Sequence, residues 1–149
     1  MRVLVQRVSE ASVTIEQKEN NSIKEGLLIL VGIGNDDGDE DIDYLCKKII
    51  NLRIFDDENG VMNNSVLQKE GELMVISQFT LHANTRKGNR PSYIKAAKPE
   101  VAIPIYEKFC KQLKAQSGIE VKTGVFGADM KISLINDGPV TIWIDSKAK

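Results

Sequence analysis

The sequence has few of the side chains that build metal centres. It contains two cysteines, Cys46 and Cys110, without a Cys-x-x-Cys spacing, and a single histidine, His82. Structural zinc sites and iron–sulfur clusters take four cysteine or histidine ligands, so three scattered residues argue against either kind of centre. Both cysteines fall in apolar patterns of helical spacing, which predicts buried free thiols.

Long apolar runs are also missing. No apolar stretch approaches the roughly 20 residues with which a helix spans a bilayer. Residues 1–8 are too short and too charged for a secretory signal peptide. A length of 149 residues, with 42% hydrophobic and 28% charged residues, suits one globular domain over residues 1–149. The sequence therefore predicts a soluble, cytoplasmic protein without a membrane segment.

Apolar spacing predicts a mixed α/β fold with two main helices. The acidic residues between Asp36 and Asp41 predict the N-terminus of the first helix, and from Ile42 its apolar residues recur at i, i+3, i+4, i+7 and i+8 up to about Leu52. The second runs over about residues 100–116, and Pro104 predicts that its regular part begins at Ile103. Its predicted buried face contains Val101, Ile105, Phe109 and Leu113. The predicted strands are residues 3–8, 11–16, 26–34, 73–77, 119–123, 131–135 and 141–144, with a short hairpin over residues 53–62.

Residues 136–141 lie between the last two predicted strands and predict an unusual hairpin tip. Gly138 directly precedes Pro139. Glycine tolerates almost any dihedral pair, proline has no N–H, and an X-Pro bond is the one peptide bond for which the cis form is cheap. Such a tip can present bare carbonyl oxygens to a pocket. An ordinary turn is the open alternative, because these residues are also the commonest turn formers.

A second segment of interest follows the apolar run at residues 73–76. Ser77, Gln78 and Thr80 place two hydroxyls and an amide where that strand is predicted to end. Functional sites are commonly built at the ends of strands, on the connecting loops. These side chains are therefore candidates for a binding or catalytic site.

Basic residues are concentrated between His82 and Lys98. This stretch has no Asp or Glu, although the whole chain has a net charge of −1. Its basic residues are Arg86, Lys87, Arg90, Lys95 and Lys98. The segregation indicates an anionic partner, and a merely solvated surface loop is the open alternative.

These segments, in this order, resemble the D-aminoacyl-tRNA deacylases, also called D-tyrosyl-tRNA deacylases. The likeness extends over essentially the whole chain, although residues 17–24 lack the glycines of that loop in the family. It rests on Gln6-Arg7-Val8 with Ala11-Ser12-Val13, Gly26-Leu27-Leu28, Ser77-Gln78-Phe79-Thr80-Leu81, Arg90-Pro91-Ser92, Thr123-Gly124-Val125-Phe126-Gly127-Ala128-Asp129-Met130 and Asn136-Asp137-Gly138-Pro139-Val140-Thr141.

The resemblance implies a three-layer β/β/α fold with mixed, barrel-like sheets, assembled as a homodimer. It implies hydrolysis of the ester between a D-amino acid and the terminal adenosine of tRNA, without a cofactor or metal. Each active site would be completed by Gly138 and Pro139 of the partner subunit, joined by a cis bond, with their carbonyls filling the space that an L side chain would enter. Glycyl esters, which carry no side chain, would then be cleaved as well.

Catalysis is expected at the end of the strand over residues 73–77. The expected catalytic residues are Ser77, Gln78, Phe79 and Thr80. Backbone N–H groups near Phe79 and Thr80 would stabilise the oxyanion, by on the order of 3 kcal/mol for each well-placed donor. Two attacking groups stay open. The resemblance favours water assisted by the substrate's 2′-hydroxyl, and the alternative is Thr80 as a covalent nucleophile with His82 as its base.

Substrate and tRNA contacts are expected from seven side chains. They are Arg7, Phe126, Met130, Asn136, Arg86, Lys87 and Arg90. The resemblance places Arg7 as a brace for Gly138 and Pro139, and Phe126 with Met130 near the terminal adenine.

Three classes of function are compatible with these features. The first is a chiral-proofreading esterase of translation quality control, which accounts for most of the segments. The second is a non-catalytic RNA-binding module that uses the basic residues 86–98. The third is a hydrolase of small esters that depends on His82.

Overall fold

The chain forms a six-stranded mixed β-sheet, curved into a nearly closed barrel with two helices packed on its outside, and a separate two-stranded sheet. The computed structural model describes residues 1–149, apart from the side chains of residues 19 and 20. In chain order the elements are β1 (Arg2–Ile15), β2 (Lys18–Ile23), β3 (Gly26–Gly32), α1 (Asp39–Asn51), β4 (Phe55–Asp56), β5 (Met62–Asn64), β6 (Glu72–Ser77), a 3₁₀ helix (Phe79–His82), α2 (Pro99–Ser117), β7 (Val121–Thr123) and β8 (Met130–Asp145).

Strand β1 organises the sheet, because three strands pair with it. Its first half pairs with β3 and its second half with β2, while β8 pairs along both halves on the other edge. These pairs are antiparallel, whereas β3, β6 and β7 are parallel neighbours. Strand β2 approaches β7, where Asn21 Nδ2 donates to the Thr123 carbonyl at 2.5 Å. The sheet therefore nearly closes on itself.

Two apolar clusters lie on opposite faces of this sheet. Successive side chains of a strand point to opposite faces, so Leu27 and Ile29 of β3 pack against the helices, while Leu28 packs inside the barrel. Strand β6 follows the same alternation, with Val75 on the helix side and Met74 inside the barrel. Helices, one face of the sheet and the barrel interior thus form the predicted β/β/α layers.

The predicted apolar stripe of α1 is confirmed. Its buried apolar residues are Ile42, Leu45, Cys46, Ile49 and Ile50. The helix begins at Asp39, and the carboxylate of Asp41 accepts the Gly38 N–H at 2.9 Å. Cys46 is the buried free thiol that the pattern predicts, and burial raises its pKa to about 12. Cys110 is also a free thiol, but it is only partly buried.

The prediction for α2 is wrong in two respects. The helix is regular from Pro99 onward, because Pro104 and the Glu100 carbonyl that loses its intrahelical donor lie on the exposed face, where water can satisfy that carbonyl. Its buried face consists of Ala102, Tyr106, Phe109 and Leu113, and Val101 is exposed. None of the helices among the described residues is long and apolar enough to cross a membrane.

Strands β1 and β2 also differ from the prediction. The two strands expected over residues 3–8 and 11–16 are one strand, because pairing with β8 continues past a register shift between Val8 and Glu10. Strand β2 was not predicted, since its polar sequence has low strand propensity and pairing with β1 imposes the conformation. Glu16 and Gln17, with φ of 51° and 63°, make the two-residue turn between them.

The hairpin predicted around residues 136–141 is wrong. Residues 130–136 and 141–145 both pair with β1, so they lie along one strand instead of folding against each other. The short hairpin predicted over residues 53–62 is confirmed as the β4–β5 pair.

Candidate active site

A cavity of about 280 Å³ opens where β6 ends beside the beginning of β8. It is lined by Ile76, Ser77, Gln78, Phe79, Phe126, Gly127, Ala128, Asp129, Met130 and Ile132. The fold therefore brings three of the expected catalytic residues together with both residues expected near the adenine. Thr80 lies one position beyond the lining residues.

The end of β6 leaves two backbone donors without acceptors. The Gln78 N–H donates to the Val31 carbonyl at 2.7 Å, and the chain then turns into the 3₁₀ helix. The first N–H groups of a helix have no intrahelical acceptor. Among the described residues, no acceptor lies within hydrogen-bond geometry of the Phe79 or Thr80 N–H. Both groups are therefore available to an oxygen of a bound molecule.

Thr80 and His82 do not form a nucleophile–base pair. Thr80 Oγ1 accepts from Gln78 Nε2 at 2.5 Å. The buried ring of His82 faces Gly32 and Gly34 instead, since a Cβ added there would lie 3.1 and 3.2 Å from its ring carbons. Burial lowers the pKa of His82, and within the described chain its Nε2 has no hydrogen-bond partner. A ring packed on two glycines and not bonded to Thr80 fits a structural role better than that of a base.

Phe126 and Met130 form an apolar wall of the cavity. Phe126 packs edge-to-face on Tyr106 of α2, with ring centroids 5.7 Å apart. The Tyr106 hydroxyl donates to the Val75 carbonyl at 2.9 Å, which ties this contact to β6. Gly124 makes room for the Met130 sulfur, because a Cβ at that position would overlap it. A flat ring of a bound molecule can pack against this apolar wall.

Residues 137–140 form a bulge in β8. Gln6 and Val8 pair with Thr141 and Asn136, so four residues of β8 stand opposite Arg7 alone. The Gly138–Pro139 bond is cis, as the resemblance implies. Gly138 has a φ of 121°, and a Cβ there would lie 2.9 Å from Arg7 Nη2. Only glycine fits this position without displacing the arginine.

The buried Arg7 guanidinium connects the bulge to the β4–β5 hairpin. Its Nε donates to the Asp137 carbonyl at 3.1 Å, and its Nη1 donates to the Ile54 carbonyl at 2.7 Å. Carboxylate oxygens of Asp56 and Asp137 each lie 3.3 Å from the guanidinium. The guanidinium thus contacts both the bulge and the hairpin, and its role as a brace stays a prediction.

Asn136 closes the base of the bulge. Its amide nitrogen donates to the carbonyls of Arg7 and Val140 at 3.0 and 2.9 Å, and its Oδ1 accepts from the Thr141 hydroxyl at 3.2 Å. Both amide hydrogens are used in these contacts. The geometry favours a bracing role over the expected contact with tRNA.

The bulge and the cavity are separate within one chain. Arg7, Asn136, Gly138 and Pro139 are not among the residues that line the cavity. Gly138 and Pro139 are exposed, and among the described strands β8 pairs only with β1, which leaves its other edge open. Ile135 and Trp143 are exposed on either side of the bulge.

The basic segment is a surface hairpin. Asn84 and Ser92 exchange backbone hydrogen bonds of 2.8 and 3.0 Å, which closes the loop that carries Arg86, Lys87 and Arg90. All three side chains are exposed. In the part of the chain that the structure describes, no carboxylate lies within 4.0 Å of them. Their charge is therefore available to a partner.

Several lining residues were not identified from the sequence. Gly127, Ala128 and Asp129 reach the cavity from the turn before β8, and Ile132 from β8 itself. Residues 123–130 are one of the segments that carry the family resemblance. The sequence therefore marked this segment, although Gly127, Ala128 and Asp129 were not assigned a role. Among the described side chains, no group of three or more His, Cys, Asp and Glu is arranged to hold a metal ion.

The sequence matches a family model described as D-Tyr-tRNA(Tyr) deacylase over residues 4–145. The chain belongs to this family. It is 68% identical to the D-aminoacyl-tRNA deacylase of Bacteroides fragilis (strain YCH46), over 100% of this chain and 99% of that protein. It is 61% identical to the D-aminoacyl-tRNA deacylase of Christiangramia forsetii, again over 100% and 99%. Family membership confirms the resemblance, and the roles of individual residues stay predictions.

Solved structures of the same fold agree. The structure of a c-Myc DNA unwinding element binding protein superposes with a TM-score of 0.93 at 39% identity, covering 97% of this chain and 98% of that one. A probable eukaryotic D-amino acid tRNA deacylase superposes with a TM-score of 0.82 at 15% identity, covering 96% and 97%, which is a likeness of fold alone.

Replacing His82 by Phe tests whether the ring takes part in catalysis. We expect the variant to hydrolyse D-tyrosyl-tRNA at a rate reduced by much less than about 100-fold, the smaller end of what a general base contributes. The reason is that the ring packs on Gly32 and Gly34 and makes no contact with Thr80. Ester survival measures the rate, and circular dichroism verifies folding. A larger loss in a folded variant would restore the His82 mechanism.

Proposed function

We propose that the protein hydrolyses the ester that joins a D-amino acid to the terminal adenosine of tRNA, releasing free tRNA and the D-amino acid. One observation carries the proposal. The cavity is lined by Phe79, whose N–H and that of the adjoining Thr80 have no acceptor among the described residues, and by the apolar wall of Phe126 and Met130. The two N–H groups suit a developing oxyanion, and the apolar wall suits an adenine ring. Ser77 and Gln78 also line the cavity.

The reaction requires little from side chains. Water attacks the ester carbonyl, its oxygen forms the new bond to carbon, and the Phe79 and Thr80 N–H groups stabilise the resulting oxyanion. Each donor contributes on the order of 3 kcal/mol. The oxyanion then re-forms the carbonyl as the ester bond to the 3′-oxygen breaks, and that oxygen takes up the proton that the attacking water lost. The substrate's 2′-hydroxyl supplies the assistance that the protein lacks, since Thr80 Oγ1 is bonded to Gln78 and His82 is turned away.

The stereochemical gate comes from a second copy of the chain. Gly138 and Pro139 face solvent on their own subunit, and the flanking edge of β8 exposes Ile135 and Trp143. An open strand edge with exposed apolar side chains favours association. In the homodimer, the carbonyls of Gly138 and Pro139 from the partner subunit occupy the space that an L side chain would enter. Rejection by exclusion leaves D-aminoacyl and glycyl esters as substrates.

Such a gate discriminates only if it is rigid. A backbone shift of a few tenths of a nanometre would make room for a methyl group. The carbonyls must therefore keep their positions to exclude it. Arg7 and Asn136 provide this support, through the Asp137, Ile54 and Val140 carbonyls.

The basic hairpin binds the phosphates of the tRNA. Arg86, Lys87 and Arg90 are exposed and have no carboxylate partner among the described residues. Phosphate contacts of this kind give affinity without sequence preference and weaken steeply with salt.

This hairpin also favours a second candidate, a non-catalytic nucleic-acid-binding module. The related c-Myc DNA unwinding element binding protein is named for a DNA element. Hydrolysis separates the two, because the module would bind RNA and leave the ester intact.

The deciding assay compares four substrates: D-tyrosyl-, L-tyrosyl-, glycyl- and L-alanyl-tRNA. We expect rapid loss of the D-tyrosyl and glycyl esters and survival of both L esters, since the gate excludes any L side chain. Ester survival is followed with and without the purified protein. Comparable hydrolysis of L-alanyl- and glycyl-tRNA would contradict the gate, and survival of all four esters would contradict the function.

Thr80→Ala tests the attacking group. We expect a loss of less than about a thousandfold in kcat, smaller than removal of an essential nucleophile causes. The matched substrate control is a D-tyrosyl ester of tRNA that ends in 2′-deoxyadenosine, which should be cleaved much more slowly by the unmodified protein. A larger loss in Thr80→Ala, together with normal cleavage of the 2′-deoxy substrate, would establish Thr80 as the nucleophile.

Arg7→Ala tests the support of the gate. Loss of the guanidinium frees residues 137–139, so we expect L-tyrosyl-tRNA to be cleaved faster relative to D-tyrosyl-tRNA than by the unmodified protein. Arg53→Ala is the control, because the side-chain hydrogen bond of Arg53 goes to the Asn63 carbonyl and not to residues 137–139. Unchanged discrimination in a folded, dimeric Arg7→Ala protein would remove Arg7 from the mechanism.

A further inference from the structure

The rings of Phe79 and Tyr93 form an exposed aromatic pair beside the cavity, which we call the step. Phe79 is 55% exposed and Tyr93 is 39% exposed, and their rings meet edge-to-face with centroids 5.0 Å apart. An edge-to-face pair leaves at least one face of each ring uncovered by the other. Ile94, which follows Tyr93, is 83% exposed. Large apolar surfaces at such exposure, next to a candidate site, indicate a binding surface.

The step lies between the cavity and the basic hairpin. Phe79 lines the cavity, Tyr93 contacts Phe79, and Ser92, which precedes Tyr93, closes the hairpin by pairing with Asn84. The surface therefore runs from the cavity through two aromatic rings to three cations. An aminoacylated tRNA end has the same order: the terminal adenosine, then unpaired bases, then the phosphates of the acceptor stem.

We propose that Tyr93, together with Phe79, is a stacking platform for the unpaired bases that precede the terminal adenosine of tRNA. This subsite rests on the proposed function for its ligand. Bases stack on aromatic side chains irrespective of sequence, because every base has a flat face. Adjacent cations then hold the backbone. Such a platform suits an enzyme that acts on many tRNAs, since it fixes the path of the 3′ end without reading it.

A second copy of the chain is the competing occupant of this surface. The open edge of β8, with Ile135 and Trp143, already offers a site for that copy. The cations around the step favour RNA, because no carboxylate of the described chain lies within 4.0 Å of Arg86, Lys87 or Arg90. A protein partner would use the exposed Ile94 as readily as Tyr93, whereas a stacked base needs the ring.

Binding to uncharged RNA tests the platform separately from hydrolysis. The probe is a labelled RNA hairpin with an unpaired 3′ end that terminates in CCA, and the control probe is the same hairpin with the unpaired end removed. Fluorescence anisotropy measures affinity at one fixed salt concentration for the unmodified full-length protein and for Tyr93→Ala, Tyr93→Phe and Ile94→Ala. Light scattering gives the oligomeric state of each protein.

We expect Tyr93→Ala to weaken binding of the RNA with the unpaired end by about five- to hundredfold, the loss of one base–aromatic stack. Binding of the control hairpin should not change, and Tyr93→Phe and Ile94→Ala should bind like the unmodified protein. An equal loss for both RNAs, no loss for either, an equal effect of Ile94→Ala, or a changed oligomeric state in Tyr93→Ala would overturn the platform. Failure of D-tyrosyl-tRNA hydrolysis would refute the proposed function and is read out independently of these affinities.

Discussion

The antiparallel pairing between β1 and β8 is the interaction on which the candidate site depends. It extends from Arg2 and Asp145 at one end to Ile15 and Met130 at the other. Because β8 keeps its pairing on both sides of residues 137–140, those residues have no backbone pairing partner in β1 and bulge out of the ladder. The bulge is thus anchored at both ends by strand pairing, and its Asp137 and Val140 carbonyls accept hydrogen bonds from Arg7 and Asn136.

The residues of the proposed mechanism lie at different places along this strand pair. The beginning of β8 contributes Met130 and Ile132 to the cavity, whereas the bulge faces outward further along the strand. The oxyanion donors come from another place again, where β6 gives way to the 3₁₀ helix and the Phe79 and Thr80 N–H groups lack acceptors in the described chain. The groups proposed for ester cleavage and the proposed gate therefore lie apart within one chain, and the proposed homodimer would bring them together.

Sequence patterns predicted those elements whose side chains carry a clear periodicity. The stripe of α1 from Ile42 to Ile50 is unambiguous, and the site segment at Ser77 is marked by hydroxyl and amide side chains at the end of an apolar run. Prediction failed where pairing or packing overrides local preference. The polar β2 is a strand only because β1 pairs with it. Helix α2 buries Ala102 and Tyr106, whereas Val101 is exposed and Ile105 is partly buried, and the Tyr106 hydroxyl donates to the Val75 carbonyl.

From the sequence alone, the motif segments and the family to which they belong were accessible, because these depend on residue identity and order. The cis bond of Gly138 and Pro139, the use of Asn136 as a brace, and the turning of His82 toward Gly32 were decided by the tertiary structure. The reason is physical: a side chain's role depends on which partners lie within hydrogen-bond or van der Waals distance, and residues such as Arg7 and Asp137 are brought together by a sheet that joins the two ends of the chain.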